Sequence, residues 1–214
     1  MTSASVAAGA LAVSAEPMPE HVVLILSGGL DSTVLGYRLR AGGSRLTMLS
    51  FDYGQRHRRE LEYACRTAVK LTGAHRVVDL SPISGLLAGS SLTDAAVDVP
   101  DGHYSDLSMR ATVVPNRNAI MLDVAVARAV AVQAGAVTFG AHAGDHPIYP
   151  DCRLVFLNAY RRMVLLANEG FLAPNFTVLA PFIGLSKADI VTIGADLGVP
   201  FADLDPATVQ RRAH

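Results

Sequence analysis

Short apolar runs alternate with amphipathic stretches along most of this chain. Apolar residues at helical spacing predict helices through Val34–Leu39, over Glu60–Leu71, Arg117–Gln133 and Arg153–Asn168, and from a cap at Ser186 to Gly198. The apolar runs predict buried strands at Val22–Leu26, Leu46–Phe51, His75–Leu80, Ala136–Ala141 and Thr177–Pro181. This alternation predicts an α/β fold, namely a Rossmann-like, doubly wound parallel sheet of about five strands with helices on both faces.

Two segments depart from the alternation. Residues 1–20 are rich in alanine, and we expect a flexible N-terminal tail rather than a signal peptide, because no Lys or Arg precedes the apolar stretch. Residues 82–116 are rich in glycine and proline, and an insertion of that length is typical of a functional loop or lid. We expect residues 21–214 to form a single domain that carries this insertion.

The predicted helix over Arg117–Gln133 is apolar on most of its sides. A helix of this kind has to be buried on more than one side. Either a second copy of the chain covers it, which would make the protein a homodimer, or the sheet and a neighbouring helix enclose it. We expect the protein to form a homodimer.

Composition narrows the classes of function. Of the 214 residues, 50% are hydrophobic and 17% are charged, and the formal net charge of −1 gives no general basis for nucleic-acid binding. No apolar run approaches the length of a membrane span, so we expect no membrane partner. The two cysteines, Cys65 and Cys152, are far apart and form no disulfide framework, which favours a reducing, cytoplasmic location.

The most informative motif is Ser-Gly-Gly-Leu-Asp-Ser at residues 27–32, between the first strand and the first helix. Glycines let the backbone approach a phosphate, and the N–H groups of a first helical turn favour an anion. Ser27 and Ser32 add hydroxyl donors, whereas the carboxylate of Asp31 would repel a naked phosphate. We therefore expect Mg²⁺ between Asp31 and the phosphate oxygens.

Polar segments also follow other predicted strands. Residues 52–57 follow the second strand, residues 140–146 the fourth, and Pro181 and then Lys187 come after the fifth. The carboxyl ends of parallel strands share one edge of a sheet, and ligands gather there. The agreement among these strand ends predicts a single ligand site at that edge.

The loop at 27–32 resembles the Ser-Gly-Gly-x-Asp-Ser loop of the ATP pyrophosphatase (PP-loop) superfamily, whose members split ATP into AMP and pyrophosphate. The resemblance becomes specific at three further segments, which are similar to hallmark segments of the QueC family of 7-cyano-7-deazaguanine synthases. These are Phe-Asp-Tyr-Gly-Gln-Arg-His at 51–57, Val-Pro-Asn-Arg-Asn at 114–118 and Tyr-Pro-Asp-Cys-Arg at 149–153. One small departure is Asn116, where the family usually has glycine.

The resemblance implies an ATP-dependent ligase that converts 7-carboxy-7-deazaguanine and ammonia to the nitrile 7-cyano-7-deazaguanine (preQ0). One ATP would adenylate the carboxylate, ammonia would displace AMP to give an amide, and a second ATP would activate the amide oxygen for dehydration. ATP and Mg²⁺ are the implied cofactors. Three alternatives stay open: a ligase that stops at the amide or uses another carboxylate, another PP-loop adenylating enzyme such as a tRNA-modifying one, and a non-catalytic nucleotide-binding homologue.

Site roles follow from the resemblance. Arg117 would neutralise the α-phosphate or the substrate carboxylate, since its fixed fork suits either. The residues expected to bind ATP are Ser27, Gly28, Gly29, Asp31, Ser32, Phe51, Asp52, Tyr53, Gln55, Arg117 and Lys187. Those expected to bind the deazapurine substrate are His142, Asp145, Tyr149, Asp151 and Arg153. The expected catalytic residues are Ser27, Asp31, Arg117 and Lys187.

Simpler explanations exist for several of these residues. Asp151 could cap the helix that follows it, and Arg153 could pair with Asp151. His142 and His146 could be loop residues without chemistry. Cys152 is not expected to act as a nucleophile, because adenylation followed by attack of ammonia requires none.

The family pattern continues after the last helix into a cysteine-rich segment that binds zinc. Residues 203–214 of this sequence contain no cysteine. We therefore expect no zinc site in this sequence, and a C-terminal region that is looser or is supported by a dimer partner.

Overall fold

The computed structural model describes residues 18–54, 59–87 and 116–204, which build one sheet with helices on both faces. The strands are β1 (His21–Ile25), β2 (Arg45–Asp52), β3 (Ala74–Asp79), β4 (Ala136–Thr138) and β5 (Thr177–Leu179). The helices are α1 (Leu30–Ala41), α2 (Arg59–Leu71), α3 (Arg117–Val132), α4 (Leu154–Ala167) and α5 (Lys187–Asp196). The predicted fold class is confirmed.

The sheet has the strand order β3-β2-β1-β4-β5, and every neighbouring pair is parallel. The chain winds outward from β1 to β3 on one side, and from β4 to β5 on the other. A parallel sheet opens a crevice at its carboxyl edge at the point where the winding reverses. The loop after β1 and the segment after β4 therefore lie at the position that the fold offers to a ligand.

The two faces of the sheet carry different helices. Val23 packs with α3 and α4 on one face, whereas Leu24 packs with α1, α2 and α5 on the other. Both side chains are 0% exposed. Successive residues of a strand point to opposite faces, so a run of apolar residues without alternation is what a sheet covered on both sides requires.

Helix α3 is enclosed within the chain rather than left bare. Its buried residues belong to the cluster that also contains residues of the sheet and of α4, namely Met121, Leu122, Ala125, Val126 and Ala129. Asp123 is exposed and accepts a hydrogen bond from the Tyr160 hydroxyl of α4 at 2.6 Å. Enclosure by the sheet and a neighbouring helix thus accounts for the apolar sides of α3.

Strands β4 and β5 are shorter than the apolar runs predicted. The ladder ends at Thr138 and Leu179, while Phe139, Ala141 and Ala180 remain buried in the core outside it. Apolar residues in a loop that crosses the core give the same pattern as residues in a strand. The predicted strands were therefore too long at their carboxyl ends.

Residues 18–20, which the sequence assigned to the tail, lie against the sheet. Met18 packs on the core, Ser44 Oγ donates to the Pro19 carbonyl at 2.8 Å, and the Arg45 amide donates to the Glu20 carbonyl at 2.7 Å. A 3-10 helix spans Ser81–Leu87, at the start of the predicted insertion. Residues 88–115 of that insertion lie outside the described ranges. Within those ranges, no helix is long and apolar enough to cross a membrane.

Candidate active site

The loop after β1 is closed by hydrogen bonds among its own residues. Ser27 Oγ and Ser32 Oγ are 3.0 Å apart, and the Ser32 hydroxyl donates to the Gly29 carbonyl at 3.1 Å. The amide of Ser27 donates to Ser32 Oγ at 3.2 Å, and that of Gly29 to Ser27 Oγ at 3.3 Å. Gly29 directly precedes α1, so these bonds hold the loop in front of a helix N-terminus, where the dipole favours a phosphate.

Two glycines of the site lie close to neighbouring backbone. Gly28 has a φ of +84°, and a Cβ on it would lie 2.1 Å from the carbonyl oxygen of Glu60 in α2. A Cβ on Gly140, just after β4, would lie 3.1 Å from the amide nitrogen of Ser32. Gly28 thus lets α2 pack on the loop, and Gly140 lets the end of β4 approach the start of α1. The sequence indicated only the phosphate role of Gly28 and gave Gly140 no role of its own.

Lys187 reaches the loop from the edge of the sheet. It is the first residue of α5, behind a capping box in which Ser186 Oγ accepts from the Asp189 amide and Asp189 Oδ2 accepts from the Ser186 amide. The predicted cap at Ser186 is confirmed. Lys187 Nζ donates to Asp31 Oδ2 at 2.5 Å, so a helix at the end of the chain is tied to the first turn of α1.

The second oxygen of Asp31 fits a cation. Oδ1 is buried and has no hydrogen-bond partner among the described residues, although buried carboxylate oxygens are normally satisfied. Within the same residues, no three His, Cys, Asp or Glu side chains gather closely enough to hold a metal. Mg²⁺ prefers oxygen ligands and commonly shares one carboxylate with substrate phosphates, which is the arrangement that Asp31 offers.

His142 lies between two carboxylates at the end of β4. Its Nδ1 accepts from the Gly144 amide at 3.0 Å, so the proton of the neutral ring is on Nε2. Nε2 is 3.5 Å from Asp145 Oδ1 and 3.9 Å from Asp31 Oδ2. The His142 amide in turn donates to Asp145 Oδ2 at 3.1 Å, which fixes the short turn that carries both residues.

Arg117, the first residue of α3, is surrounded by aromatic rings. Its guanidinium carbon lies 5.8 Å from the centroid of the Tyr53 ring and 6.0 Å from that of Tyr149. Burial by itself lowers the pKa of Arg117, but the effects of Tyr53, Tyr149 and Asp151 together raise it above its ordinary value, so the side chain stays charged. Burial also raises the pKa of Tyr53, which keeps the phenol neutral beside this cation.

Asn116 explains the small departure from the family pattern. It precedes α3 with φ +63° and ψ +7°, in the left-handed region that glycine adopts most easily. Its side chain makes no capping hydrogen bond to a described residue. Asparagine is among the few other residues that enter this region readily, so the backbone conformation accounts for both the usual glycine and its replacement here.

Asp151 joins the Pro-Asp-Cys-Arg segment to α3. Its Oδ2 accepts from the backbone amide of Asn118, in the first turn of α3, at 3.1 Å. It therefore caps this earlier helix rather than the one that follows it. Asn118 also donates from Nδ2 to the sulfur of Cys152 at 3.2 Å. Asn118 is thus a positioning residue that the sequence analysis missed, although it stands in a quoted motif directly after Arg117.

The side chain of Arg153 is exposed and is held by a backbone carbonyl. Its Nε donates to the backbone carbonyl of His146 at 2.7 Å, and no ion pair joins it to Asp151 in the described part of the chain. The proposed pairing of these two side chains is therefore wrong. Within the described residues, the guanidinium is oriented by a neutral carbonyl and not by a carboxylate.

The residues at the end of β2 and after it differ in whether their side chains reach Arg117. Asp52 Oδ1 accepts from the Gly54 amide at 3.0 Å, which forms a turn at Gly54, where φ is +80°. The side chain of Phe51 is 5% exposed and packs in the core. Gln55 lies outside the described residues. Of this segment, Tyr53 is the side chain that reaches Arg117.

The fold and the loop define the class of protein: an α/β nucleotide-binding domain of the ATP pyrophosphatase type. Solved structures with this fold include the NMN synthetase of Francisella tularensis, with a TM-score of 0.52 and 17% identity over 88% of this chain and 66% of that one. A 4-thiouridine synthetase solved as an RNA complex with bound ATP has a TM-score of 0.54 and 20% identity over 87% of this chain and 43% of that one. At these identities the likeness concerns the fold.

Sequence comparison identifies the family. The model of "Queuosine biosynthesis protein QueC" matches residues 21–204. A 7-cyano-7-deazaguanine synthase of Rhizobium leguminosarum bv. trifolii is 49% identical over 183 residues, which are 86% of this chain and 76% of that protein. The synthase of Rhizobium meliloti is 49% identical over 181 residues, 85% of this chain and 75% of that protein. This chain belongs to the QueC family.

Proposed function

We propose that this protein is an ATP-dependent carbon–nitrogen ligase that converts 7-carboxy-7-deazaguanine and ammonia to 7-cyano-7-deazaguanine. The single observation that carries the proposal is the identity of about half the residues with synthases of this name over most of the chain. The site supports it, since a phosphate loop, two cations and a carboxylate with one oxygen unpaired among the described residues lie at the carboxyl edge of the sheet.

The first step makes a leaving group. A carboxylate oxygen of the substrate attacks the α-phosphorus of ATP, the bond to the β-phosphate oxygen breaks, and pyrophosphate leaves. The amides and hydroxyls of Ser27, Gly29 and Ser32 would bind the pyrophosphate, and Lys187 would move from Asp31 to a phosphate oxygen. Bound Mg²⁺ would neutralise charge on the phosphates, with Asp31 as its protein ligand. Rate acceleration here comes from positioning and charge stabilisation.

The second and third steps use the same site twice. Ammonia attacks the acyl carbon, AMP leaves, and loss of a proton gives the primary amide. The amide oxygen then attacks the α-phosphorus of a second ATP and displaces pyrophosphate, and departure of AMP with loss of the two N–H protons forms the nitrile. Arg117 would stabilise the negative charge on the α-phosphate in both activations, because its guanidinium lies against the neutral rings of Tyr53 and Tyr149 and forms no ion pair with a described carboxylate.

The substrate would occupy the segment after β4. The carboxylates of Asp145 and Asp151 suit the N–H and amino edge of a guanine-like ring, and Arg153, which forms no ion pair with a described residue, suits its carboxylate. Tyr149 offers a ring face beside Arg117, and His142 offers an Nε2–H donor between Asp31 and Asp145. Phe51, Asp52, Tyr53 and Gln55 remain the proposed contacts to adenosine.

Arg117→Lys tests the assignment of the catalytic cation. The variant keeps the charge but loses the planar fork, and one charge-assisted hydrogen bond contributes roughly 1.5–3 kcal/mol, so we expect a loss of about tenfold to a hundredfold in kcat/KM for substrate-dependent AMP formation. Arg128→Lys on the same helix is the matched control and should keep full activity. Near-normal turnover of Arg117→Lys would remove Arg117 from the mechanism.

Product analysis tests the function itself. The protein is incubated with Mg-ATP, 7-carboxy-7-deazaguanine and ammonium, and products are followed by mass spectrometry. We expect nitrile together with AMP. Amide as the end product would restrict the enzyme to the first activation. Retained ATP binding without turnover would direct the assignment to another carboxylate substrate or to a non-catalytic homologue.

We further infer the setting of the enzyme. Use of ATP and two unpaired cysteines favour the cytoplasm, and the near-neutral charge favours small-molecule substrates over nucleic acid. We retain residues 21–214 as a single domain. We also retain the homodimer, but on a different surface: α4, not α3, exposes large apolar side chains, among them Val155 at 74% and Leu166 at 69%.

A further inference from the structure

A cavity borders the amino ends of the strands, at the opposite edge of the sheet from the candidate active site, and extends along β5 to Leu179 and Pro181. It encloses about 670 Å³ and is bordered by the first residues of β1, β2 and β5 and by Gly135 before β4. Its volume is in the range of small-molecule sites. The proposed ligase chemistry uses none of the residues that line it.

Arg45 in this cavity is held by a neutral partner. Its Nη2 lies 2.8 Å from Nδ1 of His21, and Nε2 of His21 lies 2.9 Å from Thr47 Oγ1. A guanidinium can only donate, so Nδ1 accepts and the ring proton sits on Nε2, directed at the threonine oxygen. His21 is 5% exposed, and its burial fixes this hydrogen-bond relay from Arg45 through His21 to Thr47. The guanidinium is therefore oriented without being neutralised.

Arg38, in the last turn of α1, lines the same cavity and also has a neutral partner. Its guanidinium carbon lies 5.9 Å from the centroid of the Phe182 ring, and burial lowers the pKa of Arg38. In the described ranges no carboxylate lies within ion-pair distance of Arg38 or Arg45. Glu20 is the only carboxylate among the described residues of the lining, against these two guanidinium groups.

The rest of the wall combines polar residues with an apolar part that includes Met18, Pro174, Leu179 and Pro181. A pair of un-neutralised guanidinium groups binds a phosphate or carboxylate, and apolar walls bind a hydrocarbon or aromatic body. We propose that this cavity is a second ligand site, in which Arg38 and Arg45 bind the phosphate or carboxylate group of a small organic anion whose apolar body lies against the prolines.

Phenyl phosphate is the probe, because it combines both features. Met18 lines the cavity and is one of six methionines in the chain, so ¹³C-methyl methionine spectra of the full-length protein report on the site, with Met18→Leu assigning the signal. We expect the Met18 methyl signal to shift saturably with phenyl phosphate. Inorganic phosphate should bind about tenfold more weakly, and phenol should give no saturable shift.

Arg45→Gln and Arg38→Gln should each weaken phenyl phosphate binding about tenfold. Arg40→Gln, on the same helix but outside the cavity, is the matched control and should not change it. If Arg45→Gln does not fold, Arg38→Gln still tests the proposal, since it leaves the His21 relay intact. A Met18 signal that does not move, or that moves equally in wild type and both cavity variants, would overturn the second site. Equal affinity for phenyl phosphate and inorganic phosphate would overturn the proposal that the ligand has an apolar organic part.

Discussion

At the scale of single residues, backbone conformation and burial explain two positions that sequence alone left ambiguous. Asn116 stands in the left-handed region without a capping hydrogen bond to the described chain, so it is tolerated there for its conformation. Cys152 is 6% exposed and accepts a hydrogen bond from Asn118. Each observation makes a measurable prediction.

Replacing Asn116 tests the conformational explanation. We expect Asn116→Ala to lower the free energy of unfolding by about 1 kcal/mol and Asn116→Gly to leave it unchanged or raise it, because only alanine is strained at positive φ. Chemical denaturation measures both. Asn158→Ala, at an exposed position within α4 where the side chain accepts only a long bond of 3.4 Å from Arg161, is the control and should cost little. A similar loss for Ala and Gly at position 116 would contradict the explanation.

The two cysteines should differ sharply in reactivity. Burial first, and then Asp145 and Asp151, raise the pKa of Cys152 to about 12, whereas Cys65 is exposed. We therefore expect one thiol to react quickly with Ellman's reagent at pH 8 and the second only on unfolding. Cys152→Ser should keep its AMP-forming activity. Two fast thiols in the native protein, or loss of turnover in a folded Cys152→Ser, would contradict this assignment.

The same shift has a consequence for stability at high pH. The thiol of the unfolded chain ionises near its ordinary pKa of 9.0, while the folded one stays protonated. The unfolded state then binds fewer protons, so the free energy of unfolding falls as the pH rises above 9.

At the scale of elements, the site is built where helix starts meet strand ends. Lys187 of α5 contacts Asp31 of α1, and Asp151 caps α3. Gly28 lets the loop pack closely against α2. The phosphate loop is thus a packing junction as well as a ligand site, and its glycines serve both purposes.

A pair of glycine variants separates packing from backbone strain. Gly28→Ala places a Cβ 2.1 Å from the Glu60 carbonyl and 2.8 Å from the Ala64 amide, whereas Gly43→Ala, at φ +86°, meets no described atom within 4 Å. We expect Gly43→Ala to cost about 1–2 kcal/mol from conformation alone, and Gly28→Ala to cost more and to impair ATP binding. Thermal melts with and without Mg-ATP measure this. Equal melting temperatures for the two variants would show that α2 does not constrain the loop.

At the scale of the whole molecule, the surface of α4 is the feature that a lone chain leaves unexplained. Leu154, Val155, Met163, Leu165 and Leu166 are all large, apolar and 44–74% exposed. A row of this kind is typical of an interface, and a helix that faces its own copy across a two-fold axis buries the same residues twice. Helix α4 begins next to Arg153, so such a dimer would border the proposed substrate site.

Disruption of this surface should give a monomer. Burial of a Val or Leu side chain stabilises by roughly 1.5–3 kcal/mol, and an isologous contact counts each residue twice, so we expect the double variant Val155→Glu, Leu166→Glu to dissociate. Val69→Glu, at an exposed apolar residue of α2, is the matched control and should remain dimeric. Size-exclusion chromatography with light scattering measures the mass. A wild-type monomer would rule out the dimer.

The sequence by itself determined the fold class, the approximate elements and the family. Unbroken apolar runs such as Val22–Val23–Leu24 mark strands buried on both faces, and the motifs follow strand ends, which a parallel sheet brings to one edge. Local information sufficed because period and turn chemistry are properties of neighbouring residues.

Only the tertiary structure decided which groups meet. The contact between Lys187 and Asp31 spans 156 positions, and the one between Asp151 and Asn118 spans 33. The packing of distant elements likewise decides the short extent of β4 and the enclosure of α3. It also forms the cavity that Arg38 and Arg45 line. Sequence periodicity shows that a residue is buried or aligned with a face, but the partner that it meets there is fixed by packing.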